Sequence, residues 1–392
     1  MSKTIVYCAD GTWNAAGRSS LLEKDGPRLS NVYRLFTELR GTVVGQVDGG
    51  IGLWAEEKEY TDASGRLTQV ALYSHGVGEN VHNPEEHVIG GAFGGGLTTR
   101  IRLGYAFISR RFLEGDRIVI TGFSRGAYAA RALADMIATQ GLLPPTQAEQ
   151  HHALSWAAGA WLKYRSTFES PDISQVVRES ENLHRLALRA AGRIPSENDL
   201  LHASVAAIGV FDTVGSMGLP HIEDRVRVDD YGFVRRELLP GIEQAFHAVS
   251  LDEERANFIP TLWDQPSEAR HLKQVLFPGA HADVGGGYPD HSLADVAFEW
   301  MFRQLAPSVS FNGQRPKLTD FSPSPLALAH RPWLNPFSGI GHKLRRLPDC
   351  TFERSDSLKT RMKAPTVPIE GGIDRHYCPS NLPQCVGDFL DK

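Results

Sequence analysis

The sequence predicts an α/β fold, with a mostly parallel central sheet and helices on both faces, held in a single domain. Three observations carry that prediction. Short, nearly continuous apolar runs recur, each ending in glycine or a polar loop. Helical stretches separate them, the alternation expected of parallel strands buried on both sides. One run passes through G-x-S-x-G directly into an Ala-rich helix former. The chain has 392 residues, 41% of them hydrophobic, enough for a large core. α/β folds with insertions reach this length as one domain.

The elements follow in order. The opening MSKTIVYCADGTWN enters a strand at Ile5–Ala9, and a second strand is expected at Gln69–Tyr73. IGGAFGGGLTTR (Ile89–Arg100) is a glycine-rich loop running into a helix at Thr98–Phe112. It lacks both G-K-[ST] and G-x-G-x-x-G, so an active-site loop or a turn is the better reading than a phosphate cradle. Ile118–Thr121 is a strand and Ala127–Thr139 a helix. Residues 142–201 are helix-like, with Trp156, Trp161 and Tyr164 at roughly helical spacing. They read as a cap inserted after the elbow helix, or equally as a helical layer on the scaffold. In a cap the two tryptophans would bind substrate; in a layer they are core. A strand at Val205–Phe211, a helix at Glu237–Val249 and a strand at His271–Phe277 complete the alternation. Residues 307–392 are rich in proline and fit an extension packed on the core or a partner-docking segment. No internal repeat or low-complexity segment interrupts the pattern.

Charge and composition exclude several classes. Net charge is −5 with the basic residues dispersed, so there is no footprint for nucleic acid. Cys8, Cys350, Cys378 and Cys385 form no C-x-x-C pair, which indicates neither a zinc site nor a disulfide framework, and Cys8 is expected to be a buried thiol. No metal or cofactor is called for. The start of the chain lacks signal-peptide character and no apolar run approaches the roughly 20 residues of a membrane span. The expectation is a cytoplasmic protein as synthesised, with any export by a route that needs no cleavable signal.

The chemistry centres on IVITGFSRGAYAAR, Ile118 to Arg131. Strand, tight turn and helix with Ser124 at the apex make a nucleophile elbow. Glycine is needed on either side because a Cβ there would meet the strand or the helix. The turn lifts the Ser124 hydroxyl above the sheet, near the free N–H groups of the helix start. Serine needs an imidazole base oriented by a carboxylate, and elbow hydrolases supply them in the chain order Ser, Asp, His. AAIGVFDTVGSMGLP places Asp212 at a strand end, and QVLFPGAHADVGGGYPD places His281 in the loop after another.

Other residues compete or assist. His247 falls in a helical pattern and reads as structural. His75 follows a strand and could line the pocket, but precedes the serine. Asp283 is the alternative orienting carboxylate. Asp10-Gly11-Thr12 ends the first strand at the same face, so an N–H of Gly11 or Thr12 could join that of Arg125 in an oxyanion hole. Asp10 would then lie at the substrate face or cap its turn. D-G-T also suggests a phosphatase with D-x-D-G-T, but Cys8 stands where its nucleophilic aspartate would be.

Taken together, ADGTWN, SHGVGEN, GFSRGAYAAR, GVFDTVGSMG, HAVSLDEERANFIPTLW and FPGAHADVGGGY resemble one family in content and order, from about Lys3 to about Met301. It is the α/β-hydrolase-type domain found in bacteria and fungi whose best-known members are phospholipase effectors of type VI secretion systems. The resemblance implies an esterase or lipase with the triad Ser124, Asp212 and His281, and a phospholipid or other acyl-ester substrate. It also implies contact with a membrane surface and a secretion-system or immunity partner. The chain is short beside those effectors, with little room for their membrane-anchoring modules. The rival readings are a hydrolase fold turned to binding or sensing, and a hydrolase of non-lipid esters or thioesters.

Overall fold

In the computed structural model the described residues are 2–11, 28–48, 54–76, 95–148, 152–168, 175–215, 234–256, 258–264, 271–334, 343–348, 352–372 and 374–383. In chain order they form β1 (Thr4–Ala9), α1 (Asn31–Glu38), β2 (Thr42–Asp48), β3 (Trp54–Thr61), β4 (Leu67–Ser74), α2 (Gly95–Arg111), β5 (Arg117–Phe123) and α3 (Arg125–Gln140). There follow α4 (Ala153–Arg165), α5 (Gln175–Ala190), β6 (Ala207–Phe211), β7 (Ala245–Ser250), β8 (Leu272–Phe277), α6 (His281–Gly285), α7 (Ser292–Leu305), β9 (Glu353–Arg354) and α8 (Asp356–Lys363). The strands make one sheet in the order β2-β3-β4-β1-β5-β6-β7-β8-β9. Pairing is parallel from β4 through β1 to β9, and antiparallel only for β2–β3 and β3–β4. This is an α/β-hydrolase-like sheet.

Alternate residues of the central strands face opposite layers, as a period of two requires. Ile5, Tyr7 and Ala9 of β1 join one core with α2, α3 and α4. Val6 and Cys8 join another with α1 and α7. Every residue of α3 from Gly126 to Ile137 is buried, and its alanines let the helix lie close on the sheet. From β1 the chain crosses to β4 on one side and later to β5 on the other, so the C-terminal ends of β1 and β5 flank a switch point where α/β sheets bind ligands.

Two expectations need correcting. The helix expected at Glu237–Val249 is instead β7, all six of whose residues are buried. With both faces of the sheet covered, the strand shows no alternation, and a short apolar run then cannot be told from a helix. The antiparallel pair β2 and β3 went unrecognised, because WAEEKEYT is dominated by residues that rarely build strands. Between α3 and β6 lie α4 and α5; Trp161 is buried in the α2–α3 core and Trp156 packs half-buried against it. The C-terminal stretch adds strand β9 beside β8. It also contributes Phe352, Leu358, Ala364, Val367 and Tyr377 to a third core with Val249, Leu251 and Leu276.

Candidate active site

β5 leads into Ser124, whose backbone has φ 55° and ψ −124°, a conformation strained for an L-residue. Close packing holds it there. A Cβ on Gly122 would lie 2.6 Å from the Gly126 carbonyl oxygen, and one on Gly126 would lie 2.2 Å from that of Ala9. The Ser124 N–H donates to the Phe211 carbonyl at 3.1 Å, and the Ser124 carbonyl accepts from Tyr128 at 3.2 Å. Phe123 and Phe211 are register partners on the adjacent strands β5 and β6. Ser124 and Asp212 therefore leave the sheet side by side. Among the described residues they are also the only non-glycine residues with positive φ, Asp212 at 34°. Strain of this kind collects at functional positions.

Asp212 is fully buried, and both carboxylate oxygens are engaged. Oδ1 accepts from the Ser250 N–H at 2.9 Å and from Arg345 Nη1 at 2.7 Å. Oδ2 accepts from Arg345 Nη2 at 2.8 Å and lies 2.5 Å from His281 Nδ1. Burial alone would raise this carboxyl, but the Arg345 charge and the hydrogen bonds from His281 and Arg345 outweigh it and hold Asp212 well below the usual carboxylate range. An ionised carboxylate only accepts, so Nδ1 of His281 carries the proton and Nε2 keeps its lone pair.

His281 opens α6, just past β8. Its ring lies on Phe123, 4.6 Å between centroids, and edge-on to Phe258 at 4.9 Å. The imidazole thus rests against the residue preceding Ser124. Gly285 keeps this arrangement possible, since a Cβ there would lie 1.9 Å from the Phe123 ring. The His281 N–H donates to Glu253 Oε2 at 3.1 Å, and Glu253 is held by Arg255 through Nε at 2.9 Å and Nη2 at 2.8 Å. Burial lowers the His281 pKa below its ordinary value, and the Asp212 carboxylate restores it only in part. The ring is neutral at pH 7, the state a general base needs.

Of the remaining candidates, Arg125 follows Ser124 directly and Asp10 lies against the elbow, where a Cβ on Gly126 would come 2.4 Å from the Asp10 carbonyl oxygen. Asp283 does not orient His281: its Oδ1 lies 2.6 Å from His330 Nδ1, and its Oδ2 accepts the N–H groups of Ala280 and His330. His247 lies on β7, where its Nε2 accepts the Thr213 N–H at 3.1 Å. Burial pushes its pKa down to about 3, so it is a neutral support for the turn that carries Asp212. Asp10 accepts from the Gly11 N–H at 2.6 Å, from the Ser30 hydroxyl at 2.7 Å and from the Tyr73 hydroxyl, and burial raises it to about 6. Arg125 is the first residue of α3, and Thr12 lies outside the described residues. His75 is buried past β4, its ring edge on Tyr73 at 4.9 Å. Trp161 packs on Tyr164 at 5.8 Å, and the Arg193 guanidinium lies 5.4 Å from the Trp156 ring. Among the described residues no cluster of three or more His, Cys, Asp or Glu could hold a metal ion.

Residues 3–304 match the family described as T6SS, phospholipase effector Tle1-like, catalytic domain. The chain belongs to that family. An uncharacterised protein of Saccharomyces cerevisiae, YEL023C, is 27% identical over 261 residues. That alignment covers 65% of this chain and 32% of the yeast protein, so the chain spans about a third of that relative's length. An uncharacterised protein from Pseudomonas aeruginosa of known crystal structure superposes with a TM-score of 0.48 and 19% identity, over 82% of this chain and 49% of that one. The Vlm2 thioesterase domain gives a TM-score of 0.23 and 14% identity over 79% and 94%.

Sequence reading missed Arg345 and the Glu253–Arg255 pair. The latter lay inside a quoted block, HAVSLDEERANF, where the i, i+2 spacing of opposite charges was the available signal. Arg345 lies outside the matched region, in GHKLRRLPDC, with no motif around it.

Proposed function

We propose that this Tle1-like chain cleaves carboxylic acyl esters of lipids through a Ser124–His281–Asp212 triad and an acyl-enzyme. The observation that carries the reading is the 2.5 Å contact between His281 Nδ1 and buried Asp212, beside a strained serine at the same sheet end. Ser124 Oγ attacks the ester carbonyl carbon while His281 Nε2 takes its proton, and Asp212 stabilises the imidazolium. The tetrahedral oxyanion is met by the N–H of Arg125 and a second from Gly11 or Thr12. Collapse expels the alcohol with the proton returned by His281, and water repeats the sequence on the acyl-serine. The Gly11 N–H is bonded to Asp10 in the resting structure. Its use in the oxyanion hole therefore requires that bond to yield, and otherwise the second donor is Thr12.

A lipid substrate is supported by the family and by exposed Ile259 and Leu344, which flank the hydrogen bonds between Arg345 and the Phe258 carbonyl. They offer exposed apolar side chains, adjacent in sequence to Phe258 and Arg345, for an acyl chain or a membrane surface. Among the described residues no helix is long and apolar enough to cross a membrane. Export without a cleavable signal, and a secretion or immunity partner, accord with the family.

The test is fatty-acid release from phospholipid vesicles and hydrolysis of 4-nitrophenyl esters of increasing chain length, by the wild type and by Ser124→Ala. Wild-type turnover should favour the longer esters, and the variant should lose on the order of 10⁴-fold or more. Near-normal turnover by Ser124→Ala would remove the serine from the mechanism.

A further inference from the structure

Arg345 is placed as few surface arginines are. Its side chain is 3% exposed, and all five of its N–H donors have acceptors. Nη1 donates to Asp212 Oδ1 and to the Ser250 carbonyl, each at 2.7 Å. Nη2 donates to Asp212 Oδ2 at 2.8 Å and to the Phe258 carbonyl at 2.7 Å, and Nε reaches that same carbonyl at 3.1 Å. Asp212 is equally complete, with about four lone-pair sites filled by Ser250, His281 and the two arginine nitrogens. The pair ties three loops together: the turn after β6, the end of β7, and the segment bearing Phe258, whose ring flanks His281.

We propose that Arg345, contributed by the C-terminal segment beyond the family's matched region, is the positioning residue of this site, fixing Asp212 bidentately and sharing its charge with His281. The inference rests on the triad reading above. A carboxylate that also neutralises a guanidinium stabilises an imidazolium less than one serving histidine alone. Arg345 therefore holds the base less basic than a lone Asp–His pair would, and keeps it neutral and competent at lower pH. It also keeps Asp212 in its strained backbone conformation with no lone pair left for water. The other charges around His281 are Glu253 with Arg255 after β7, and Asp283 with His330 on the far side of α6. Glu253 raises the imidazole pKa and Arg255, paired with it, lowers it, so the two oppose each other, whereas Arg345 acts on Asp212 itself.

The test is the pH profile of kcat/KM with 4-nitrophenyl butyrate for the full-length wild type, Arg345→Ala and Arg345→Lys, with Ser124→Ala alongside. In Arg345→Ala the acidic limb should move up by about one pH unit. Its plateau kcat should fall on the order of 10- to 100-fold, with KM nearly unchanged, as the acid loses its place. Millimolar guanidinium chloride, but not sodium chloride, should return the limb toward the wild-type position. Arg345→Lys keeps the charge but supplies three donors for five, so its limb should stay near wild type while its plateau drops. An Arg345→Ala limb superimposed on the wild type would overturn the inference. Should the alanine variant not fold, an undiminished plateau in Arg345→Lys would overturn it instead. Full turnover of the same ester by Ser124→Ala would strike the triad reading itself, a result separable from any Arg345 outcome.

Discussion

Helix α6 takes part in two histidine–aspartate pairs that look alike and differ in chemistry. It gives a histidine to one, His281 with Asp212, and an aspartate to the other, Asp283 with His330. The contacts are nearly equal, 2.5 Å and 2.6 Å. What surrounds each carboxylate is not. Asp212 is saturated by a guanidinium and a backbone N–H and is held far down, and its histidine is buried between Phe123 and Phe258 and pushed down as well. Asp283 has two backbone N–H groups in place of an arginine, and burial raises it despite His330. Burial would lower His330 too, but the Asp283 hydrogen bond and charge outweigh that and raise it, while its ring stacks on Tyr288 at 3.9 Å. A short His–Asp contact therefore does not by itself make a base. The first pair has a neutral imidazole beside a strained serine; the second is an ionic clamp that joins α6 to the C-terminal segment.

The contrast predicts unequal losses. Asp212→Asn should lower kcat on the order of 10⁴-fold in a folded protein, because the wrong tautomer then faces the serine. A kcat within ten-fold of wild type would place the orienting role elsewhere. Asp283→Asn should leave kcat/KM within a few-fold while denaturant unfolding shows a loss of roughly 1–3 kcal/mol, the cost of unsatisfied buried donors. The reverse outcome, stability kept and turnover lost, would make the second pair the catalytic one.

The two histidines should also respond to pH with opposite sign. The His281 pKa is depressed, so kcat/KM should rise through an acidic limb below the ordinary histidine value of about 6.5, and protonation there should cost stability. The His330 pKa is raised, so its contribution is fully present below about pH 6.5 and lost as pH climbs through its folded value. The unfolding free-energy gap between the wild type and His330→Gln should be about 1 kcal/mol in mild acid and shrink above neutrality. A gap that widens with pH would contradict the clamp.

The parts of this site legible in the sequence are those that local geometry dictates. G-F-S-R-G between a β-branched run and an alanine-rich helix needs no distant partner to be read, and the strand-end positions of Asp212 and His281 follow from the order of elements. What escaped depends on contacts across the chain. β7 reads as a helix until its neighbours β6 and β8 are known to cover both its edges. Arg345, which reaches the Asp212 carboxylate from 133 positions further on, is one of two adjacent arginines that nothing local distinguishes. The tryptophans of α4 show the converse: helical spacing identified the helix, and the structure places Trp161 in the core.

The central claim is that Ser124 is the nucleophile of a working triad, and labelling with a fluorophosphonate tests it most directly. Wild-type protein should carry one adduct, mapped by peptide mass spectrometry to Ser124, absent in Ser124→Ala and formed far more slowly in Asp212→Asn. An adduct on another residue, or folded wild type that takes up no label, would contradict the account.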